Sequence, residues 1–169
     1  MKNSNFGFTL IELLLYVSLA AIMLLATSVF LSVLLAARVK SQTIAQLEQE
    51  GQQLIQLISQ TARNAQAINS PASGASASSL SLDVVTASLD PTVFDLSGST
   101  IRITEGAGAA VSLTTSRVSA SSVSFQNLSR SSTPGVVRIQ FTLTHANPSG
   151  RNEYDWSKTF YGSASLRHP

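Results

Sequence analysis

The sequence predicts an α+β protein, with a long N-terminal helix followed by a β-rich domain. A run of about 30 residues from Phe8 to Ala37 contains a single charge, Glu12. A breaker-rich stretch, NSPASGASASS, occupies residues 69–79. Beyond it, apolar and polar residues alternate with the period of a half-buried strand. The length of 169 residues fits one domain with an N-terminal appendage.

The Phe8–Ala37 run predicts a membrane-spanning helix. About 20 apolar residues cross a bilayer, and this run would extend roughly 45 Å at about 1.5 Å per residue. A secretory signal has a shorter apolar region, of about 7–15 residues, so a signal anchor is the better general interpretation. Its orientation stays open, because Arg38 and Lys40 follow the run and only Lys2 precedes it.

The helical pattern continues through residues 38–70, a Gln-rich segment with one narrow apolar stripe. The stripe consists of Ile44, Leu47, Gly51, Leu54, Ile58, Ala65 and Ile68, and Ile55 and Ala62 widen it. We therefore expect one helix from about residue 8 to residue 68, packed through its second half on an antiparallel β-sheet. Residues 71–79 would be a Ser/Ala linker, and residues 80–169 a β-rich globular head.

Six segments of the head alternate with period two: LSLDVVT, STIRITE, AVSLTT, SSVSFQN, VVRIQFTLTH and KTFYGSASL. In the clearest of them Val137, Ile139, Phe141 and Leu143 share one face. Turn signals such as Pro134-Gly135 separate the segments. Short connections of this kind predict an antiparallel meander.

The sequence offers no constellation typical of catalysis. It has no cysteine, which excludes disulfides and thiolate zinc sites. It lacks a Ser elbow and a His-Glu-x-x-His pair, and GAGAA at 106–110 lacks the lysine of a phosphate loop. His145 and His168 are expected to be solvated. Asp83, Asp90 and Asp95 are too irregularly spaced for a calcium loop. We therefore expect a non-enzyme with no catalytic residue, metal or cofactor.

The stretch Gly7-Phe8-Thr9-Leu10-Ile11-Glu12-Leu13-Leu14 resembles the cleavage and methylation motif of type IV prepilins and pseudopilins. In that family a polar leader ending in Gly is removed by a membrane peptidase on the cytoplasmic face, and the new N-terminal residue is N-methylated. The resemblance implies a leader of residues 1–7, cleavage between Gly7 and Phe8, methylation of Phe8, and a pilin-like fold. Glu12 becomes the fifth residue of the mature chain.

The resemblance also suggests an assembly role for Glu12. A charge at a helix centre in lipid costs about 2.5–3.5 kcal/mol on insertion scales, which a partner could offset. The new amine of Phe8 on one subunit can pair with the carboxylate of Glu12 on its neighbour and set the axial register. The alternative is that Glu12 reaches the headgroups near the helix start.

The implied function is that of a structural subunit, minor rather than major, of a type IV pilus-like or type II secretion-like filament. The implied partners are other pilin or pseudopilin subunits, the prepilin peptidase, an inner-membrane assembly platform with its ATPase, and membrane lipid before assembly. The protein would cross the cytoplasmic membrane once, with its head outside the cytoplasm, and then enter an extracellular or periplasmic filament. The alternative class is a membrane-anchored extracytoplasmic binding domain that does not polymerise.

Some pili of this family bind DNA during uptake, so the basic residues of the head raise a DNA-contacting competence pilin as a less favoured role. After Gly106 the head carries six cations against Glu153 and Asp155. The cations are Arg117, Arg130, Arg138, Arg151, Lys158 and Arg167. They form no dense cluster with interleaved aromatic residues, so they also fit a solvated surface or contacts between subunits. Asn127-Leu128-Ser129 matches a glycosylation triplet.

Overall fold

The computed structural model describes residues 9–130 and 133–167. They fall into two units, one ending at Val39 and one beginning at Lys40. A single helix, α1 (Leu10–Asn64), belongs to both. The described residues then form nine strands: β1 (Ala65–Ser70), β2 (Ser76–Ala77), β3 (Leu80–Val84), β4 (Thr92–Ser97), β5 (Thr100–Glu105), β6 (Val111–Ser112), β7 (Val118–Asn127), β8 (Val136–His145) and β9 (Ser157–Ser165). The α+β, pilin-like class is confirmed.

The first unit is an apolar helix that exposes its side chains on all sides. Every residue from Leu10 to Leu35 is exposed. An 18-residue window of α1 reaches a mean hydropathy of 2.5, which makes the helix apolar and long enough to cross a membrane. These exposed apolar side chains need lipid or other helices around them.

The strands form two antiparallel sheets rather than the single meander that the short connections suggested. The first has the order β1-β3-β4-β5-β6 and the second the order β2-β7-β8-β9. The chain leaves the first sheet after β6 and enters the long strands of the second at Val118. Each sheet buries one face, so two sheets enclose one shared core that a single sheet could not close.

The helix ends at Asn64, four residues before the predicted end at Ile68, and residues 65–70 form β1 instead. β1 pairs with β3, with Ala65 opposite Val84 and Ile68 opposite Leu82. The spacing of Ala65 and Ile68 continues the helical stripe, but pairing with a distant strand decides their conformation. Local periodicity cannot report such a pairing.

Three strands were not predicted. β4 lies between the turn dipeptides Asp90-Pro91 and Ser97-Gly98, and Thr92, Phe94 and Leu96 alternate along it. β1 occupies residues that the helical stripe places at the end of the helix. β2, only two residues long, lies within the segment expected to be a linker and pairs with β7.

The core of the second unit confirms the predicted apolar patterns. Leu47, Leu54 and Ile58 of α1 are buried, and so are all four inward residues predicted for VVRIQFTLTH, now β8. Phe141 stacks on Phe160 of β9 with ring centroids 5.6 Å apart. The predicted stripe of α1 therefore packs on the sheets, as expected.

One helical glycine fits this core for a steric reason. A Cβ atom on Gly51 would overlap the ring of Phe160, with three ring carbons no more than 2.5 Å away. The Phe160 ring thus occupies the space that any side chain at position 51 would need.

Candidate functional site

The candidate site is the start of α1, where the motif residues and the first turn of the helix coincide. Thr9 precedes the helix, and the backbone N–H of Leu13 donates to its carbonyl at 3.2 Å. The N–H of Glu12 donates to Oγ1 of Thr9 at 3.4 Å, while the N–H of Thr9 donates to Oε2 of Glu12 at 3.5 Å. This reciprocal pattern is a capping box, long in both bonds.

The capping box gives Glu12 a local partner that the sequence interpretation missed. Its signal was present as Thr-x-x-Glu before an apolar run. The carboxylate also lies near the N-terminal end of the helix dipole, which favours a negative charge there. Glu12 is exposed, so these weak contacts leave it open to a stronger cationic partner.

Three hydroxyl side chains within the apolar part of α1 donate to carbonyls of the same helix. Ser18 donates to the carbonyl of Leu15 at 2.8 Å, and Ser32 donates to that of Val29 at 2.7 Å. Thr27 donates to two preceding carbonyls, at 2.9 and 3.0 Å. Because these hydroxyl groups are hydrogen-bonded within the helix, they can lie in lipid without an unsatisfied hydrogen-bond donor.

Lys40 is held by the second unit. Its Nζ donates to the carbonyls of Asn152 and Asp155, at 3.0 and 2.6 Å, and lies 5.6 Å from the centre of the Trp156 ring. Trp156 itself packs at the edge of the core. Lys40 therefore stabilises the head through these contacts. It is weaker evidence for the orientation of the membrane helix than a free flanking charge would be.

The predicted processing residues, Gly7 and Phe8, lie outside the described residues, as does His168. Their roles in cleavage and methylation remain predictions from the sequence. Of the predicted site residues at the N-terminus, the structure places only Glu12.

The six predicted cations do not come together. Lys158 pairs with Glu48 of α1 at 2.6 Å, and Arg151 pairs with Glu153 at 2.9 Å. The hydrogen bond from Arg151 lowers the pKa of Glu153, and the same bond raises the pKa of Arg151. The other four are exposed and are distributed over the loop before β7, the loop after β7, β8 and the C-terminal end: Arg117, Arg130, Arg138 and Arg167.

No group of three or more metal-binding side chains occurs within residues 9–130 and 133–167. Asp95 instead accepts two hydrogen bonds from Arg102, one of them 3.1 Å from Nε to Oδ1. That pairing raises the pKa of Arg102. His145 is half-buried, stacks on Tyr154 and has a buried Nδ1 without a hydrogen-bond partner among the described residues, so it is less solvated than expected.

Asn127 is a structural residue, although its triplet matches a glycosylation acceptor. It is only 3% exposed. Its Nδ2 donates to the carbonyl of Pro71 at 2.8 Å, and its Oδ1 accepts from the N–H of Ser129 at 3.0 Å. The amide nitrogen that would carry a glycan is therefore buried and engaged.

Glu50 is a second residue whose role the sequence did not reveal. It is 8% exposed on the buried side of α1, and its Oε1 accepts from the N–H of Thr115 at 2.7 Å. Its Oε2 is buried without a partner in the part of the chain that the structure describes. Glu50 thereby ties the connection between the two sheets to the helix.

The comparisons with known proteins identify only the N-terminal region. A family model described as the prokaryotic N-terminal methylation motif matches residues 2–28. No curated protein and no solved structure shows detectable similarity to the chain. The motif indicates a structural protein that is processed by a prepilin peptidase and anchored in a membrane. This motif leads into a long apolar helix and an α+β head, so the match and the fold together support a relationship to type IV pilins and pseudopilins.

Proposed function

We propose that this protein is a structural subunit of a type IV pilus-like or type II secretion-like filament. The observation that carries the proposal is the methylation motif at residues 2–28, placed at the start of a helix with apolar side chains exposed on every side. Lipid covers the apolar side chains of such a helix before assembly, and neighbouring helices cover them in a filament core. Assembly needs no catalytic side chain in the subunit.

In this proposal the peptidase cuts between Gly7 and Phe8 on the cytoplasmic face, and Phe8 is then methylated. The subunit waits in the cytoplasmic membrane with its head outside. An assembly platform with an ATPase moves it into an extracellular or periplasmic filament beside other pilin or pseudopilin subunits. The work is mechanical and interfacial.

Glu12 is the proposed assembly residue. Cleavage creates a cationic amine at Phe8, and the carboxylate of Glu12 on a neighbouring subunit is its proposed partner. In an apolar core this pair gives specificity more than net stability, because desolvation offsets much of the attraction. The N–H and the Oγ1 hydroxyl of Thr9 donate to Oε2 of Glu12 at 3.5 and 3.4 Å, and such long bonds support a carboxylate that can turn to a better partner.

The mature N-terminus tests class membership. Mass spectrometry of protein from membranes and filaments is expected to show N-methyl-Phe8. A chain that keeps Met1, or is cleaved near Ala37, would contradict the proposal and favour the anchored binding domain that never polymerises. A Gly7→Val variant, expected to remain unprocessed, is the control for peptidase dependence.

Substitution at Glu12 tests the charge pair separately from the helix cap. Glu12→Gln keeps a side chain that can serve at this position of a capping box but removes the charge. We expect normal cleavage and membrane insertion but little entry into sheared filaments. Thr9→Ser, which keeps both cap and charge, is the matched control. Filament entry of Glu12→Gln at the parental level would eliminate the pairing mechanism.

We propose a minor rather than a major subunit. The chain has no cysteine, and no proline interrupts the apolar part of α1, both of which depart from many major pilins. Quantitative mass spectrometry of purified filaments tests this directly. A subunit that makes up most of the filament mass would contradict it.

A further inference from the structure

The second unit leaves opposite charges unpaired on two sides of the same helix end. On one side a groove of about 590 Å³ runs between α1 and β9 and contains Arg63 and Arg167. Both arginines are exposed, and the N–H of Arg167 donates to the carbonyl of Arg63 at 3.1 Å. Neither has a carboxylate partner among the described residues. We call this depression the basic groove.

On the other side the strand registers place three acidic residues at the same end of the first sheet, Asp83, Asp90 and Glu105, and Glu105 lines a depression there. Glu105 lies opposite Thr92 in the pairing of β4 and β5, and the N–H of Gly106 donates to the carbonyl of Pro91 at 3.0 Å. None of the three carboxylates has a cationic partner within residues 9–130 and 133–167. We call this surface the acidic end.

The acidic end also exposes apolar side chains, as surfaces that contact other proteins do. Val85 is 65% exposed and Leu89 is 38% exposed, and both line the same depression as Glu105. That depression, of about 430 Å³, also includes Asn64, and Asn64 lines the basic groove too. Apolar contact surrounded by complementary charge is the usual arrangement of a protein interface.

Some charges of the head are paired within the chain, whereas the exposed Arg117, Arg130 and Arg138 have no carboxylate partner among the described residues. Lys158, Arg151 and Arg102 each have a carboxylate within the chain. The charges of the basic groove and the acidic end have none in the part of the chain that the structure describes, and they are opposite in sign. Two different and complementary faces on one molecule make a head-to-tail contact, which leaves a free face at each end and can continue along a filament.

We propose that the basic groove of one copy receives the acidic end of a second copy of this chain. The inference rests on the proposed filament function and names a contact between heads within it. It requires two copies to be adjacent, which a subunit of low abundance achieves only where neighbouring positions hold the same chain. The contact should weaken as the salt concentration rises, because the charges are exposed. The Debye length, over which charges interact, shortens from about 10 Å at 0.1 M to about 3 Å at 1 M ionic strength.

Engineered cysteines test the contact, since the chain has none of its own. Gln60→Cys places a thiol in the basic groove, and Val85→Cys places one beside the acidic end. In full-length protein assembled into filaments, oxidation of the double variant should give cross-linked dimers, and a ladder of longer species where more than two copies are adjacent. Each single variant should stay monomeric. Gln60→Cys combined with Ser149→Cys, an exposed position on the loop after β8, is the matched control without cross-links.

Charge exchange supplies the second arm. Arg63→Glu with Arg167→Glu should reduce the cross-linked species severalfold, and so should Asp83→Lys with Glu105→Lys. Mixing the two charge-reversed chains, with the groove cysteine on one and the acidic-end cysteine on the other, should restore cross-linked dimers. Failure to restore them, a dimer from Gln60→Cys alone, or cross-links only to a different protein would overturn the proposal.

The same preparation separates this inference from the proposed function. Filaments that contain the protein without any cross-linked species refute the head contact and leave the filament role intact. Protein that is never methylated and never enters filaments refutes the filament role itself, and with it the inference.

Discussion

Replacing Gly51 with alanine tests the packing of α1 on the second sheet. An ideal Cβ at this position would lie no more than 2.5 Å from three atoms of the Phe160 ring. The ring is 4% exposed and stacks on Phe141, which is fully buried. It therefore has little room to move away.

The expected magnitude follows from two opposing effects. Alanine in place of glycine within a helix stabilises the protein by about 1 kcal/mol when nothing else changes. Overpacking of a filled core costs about 1–3 kcal/mol, and an overlap this close belongs at the upper end of that range. We expect Gly51→Ala to lower the free energy of unfolding by about 2 kcal/mol.

The assay is urea unfolding of the full chain in detergent micelles, followed by the fluorescence of Trp156. Gln53→Ala, at an exposed position of the same helix, is the matched control and should change the free energy of unfolding by no more than about 0.5 kcal/mol. Combining Gly51→Ala with Phe160→Leu should cost less than the sum of the two single changes, because a smaller side chain relieves the overlap.

The refuting result concerns the sign of the change. If Gly51→Ala is as stable as the parent protein or more stable, helix propensity alone governs the position. The Phe160 ring would then not be confined against α1, and the packing described for this face would be wrong.

Three further predictions concern the head. Asn127→Asp removes the donor to the carbonyl of Pro71 in a buried place and should destabilise the fold by about 1–3 kcal/mol, measured as a shift in the urea midpoint; an unchanged midpoint would show that the bond is dispensable. Glu50→Ala leaves the N–H of Thr115 without its acceptor, so hydrogen exchange at that amide should accelerate, whereas Glu50→Gln should preserve protection; equal exchange in all three proteins would contradict the tie. The pKa of Glu153 is lowered from its ordinary value of 4.5, so its ion pair stabilises the fold above that pH and the stabilisation is lost as the pH falls through the lowered value. Glu153→Gln should therefore show a smaller decrease in unfolding midpoint on acidification than the parent protein, and an identical decrease would remove the pair as a contributor.

Local patterns in the sequence were sufficient to predict a large part of the fold. The N-terminal motif, the apolar run and the stripe through Leu47, Leu54 and Ile58 follow from neighbouring residues. So does the alternation from Val137 to Leu143, which the structure buries as predicted. These features are readable because the helix and the strand each impose a fixed side-chain period on the chain.

Contacts between distant segments decided the rest. β1 replaced the end of the predicted helix because Ala65 and Ile68 find partners on β3. Asn127 became a buried anchor because Pro71 lies beside it, and Lys40 became a tie within the head because the carbonyls of Asn152 and Asp155 converge on it.

The basic groove depends on the same kind of contact. Arg63 and Arg167 are far apart in the sequence, and only the packing of α1 beside the C-terminal strand brings them together. The sequence alone determined the motif, the membrane helix and the strand patterns, because these are set by residues within a few positions of one another. The tertiary structure alone decided which strands pair, which polar groups are buried and which charges remain without partners, because these depend on long-range neighbours that no local period encodes.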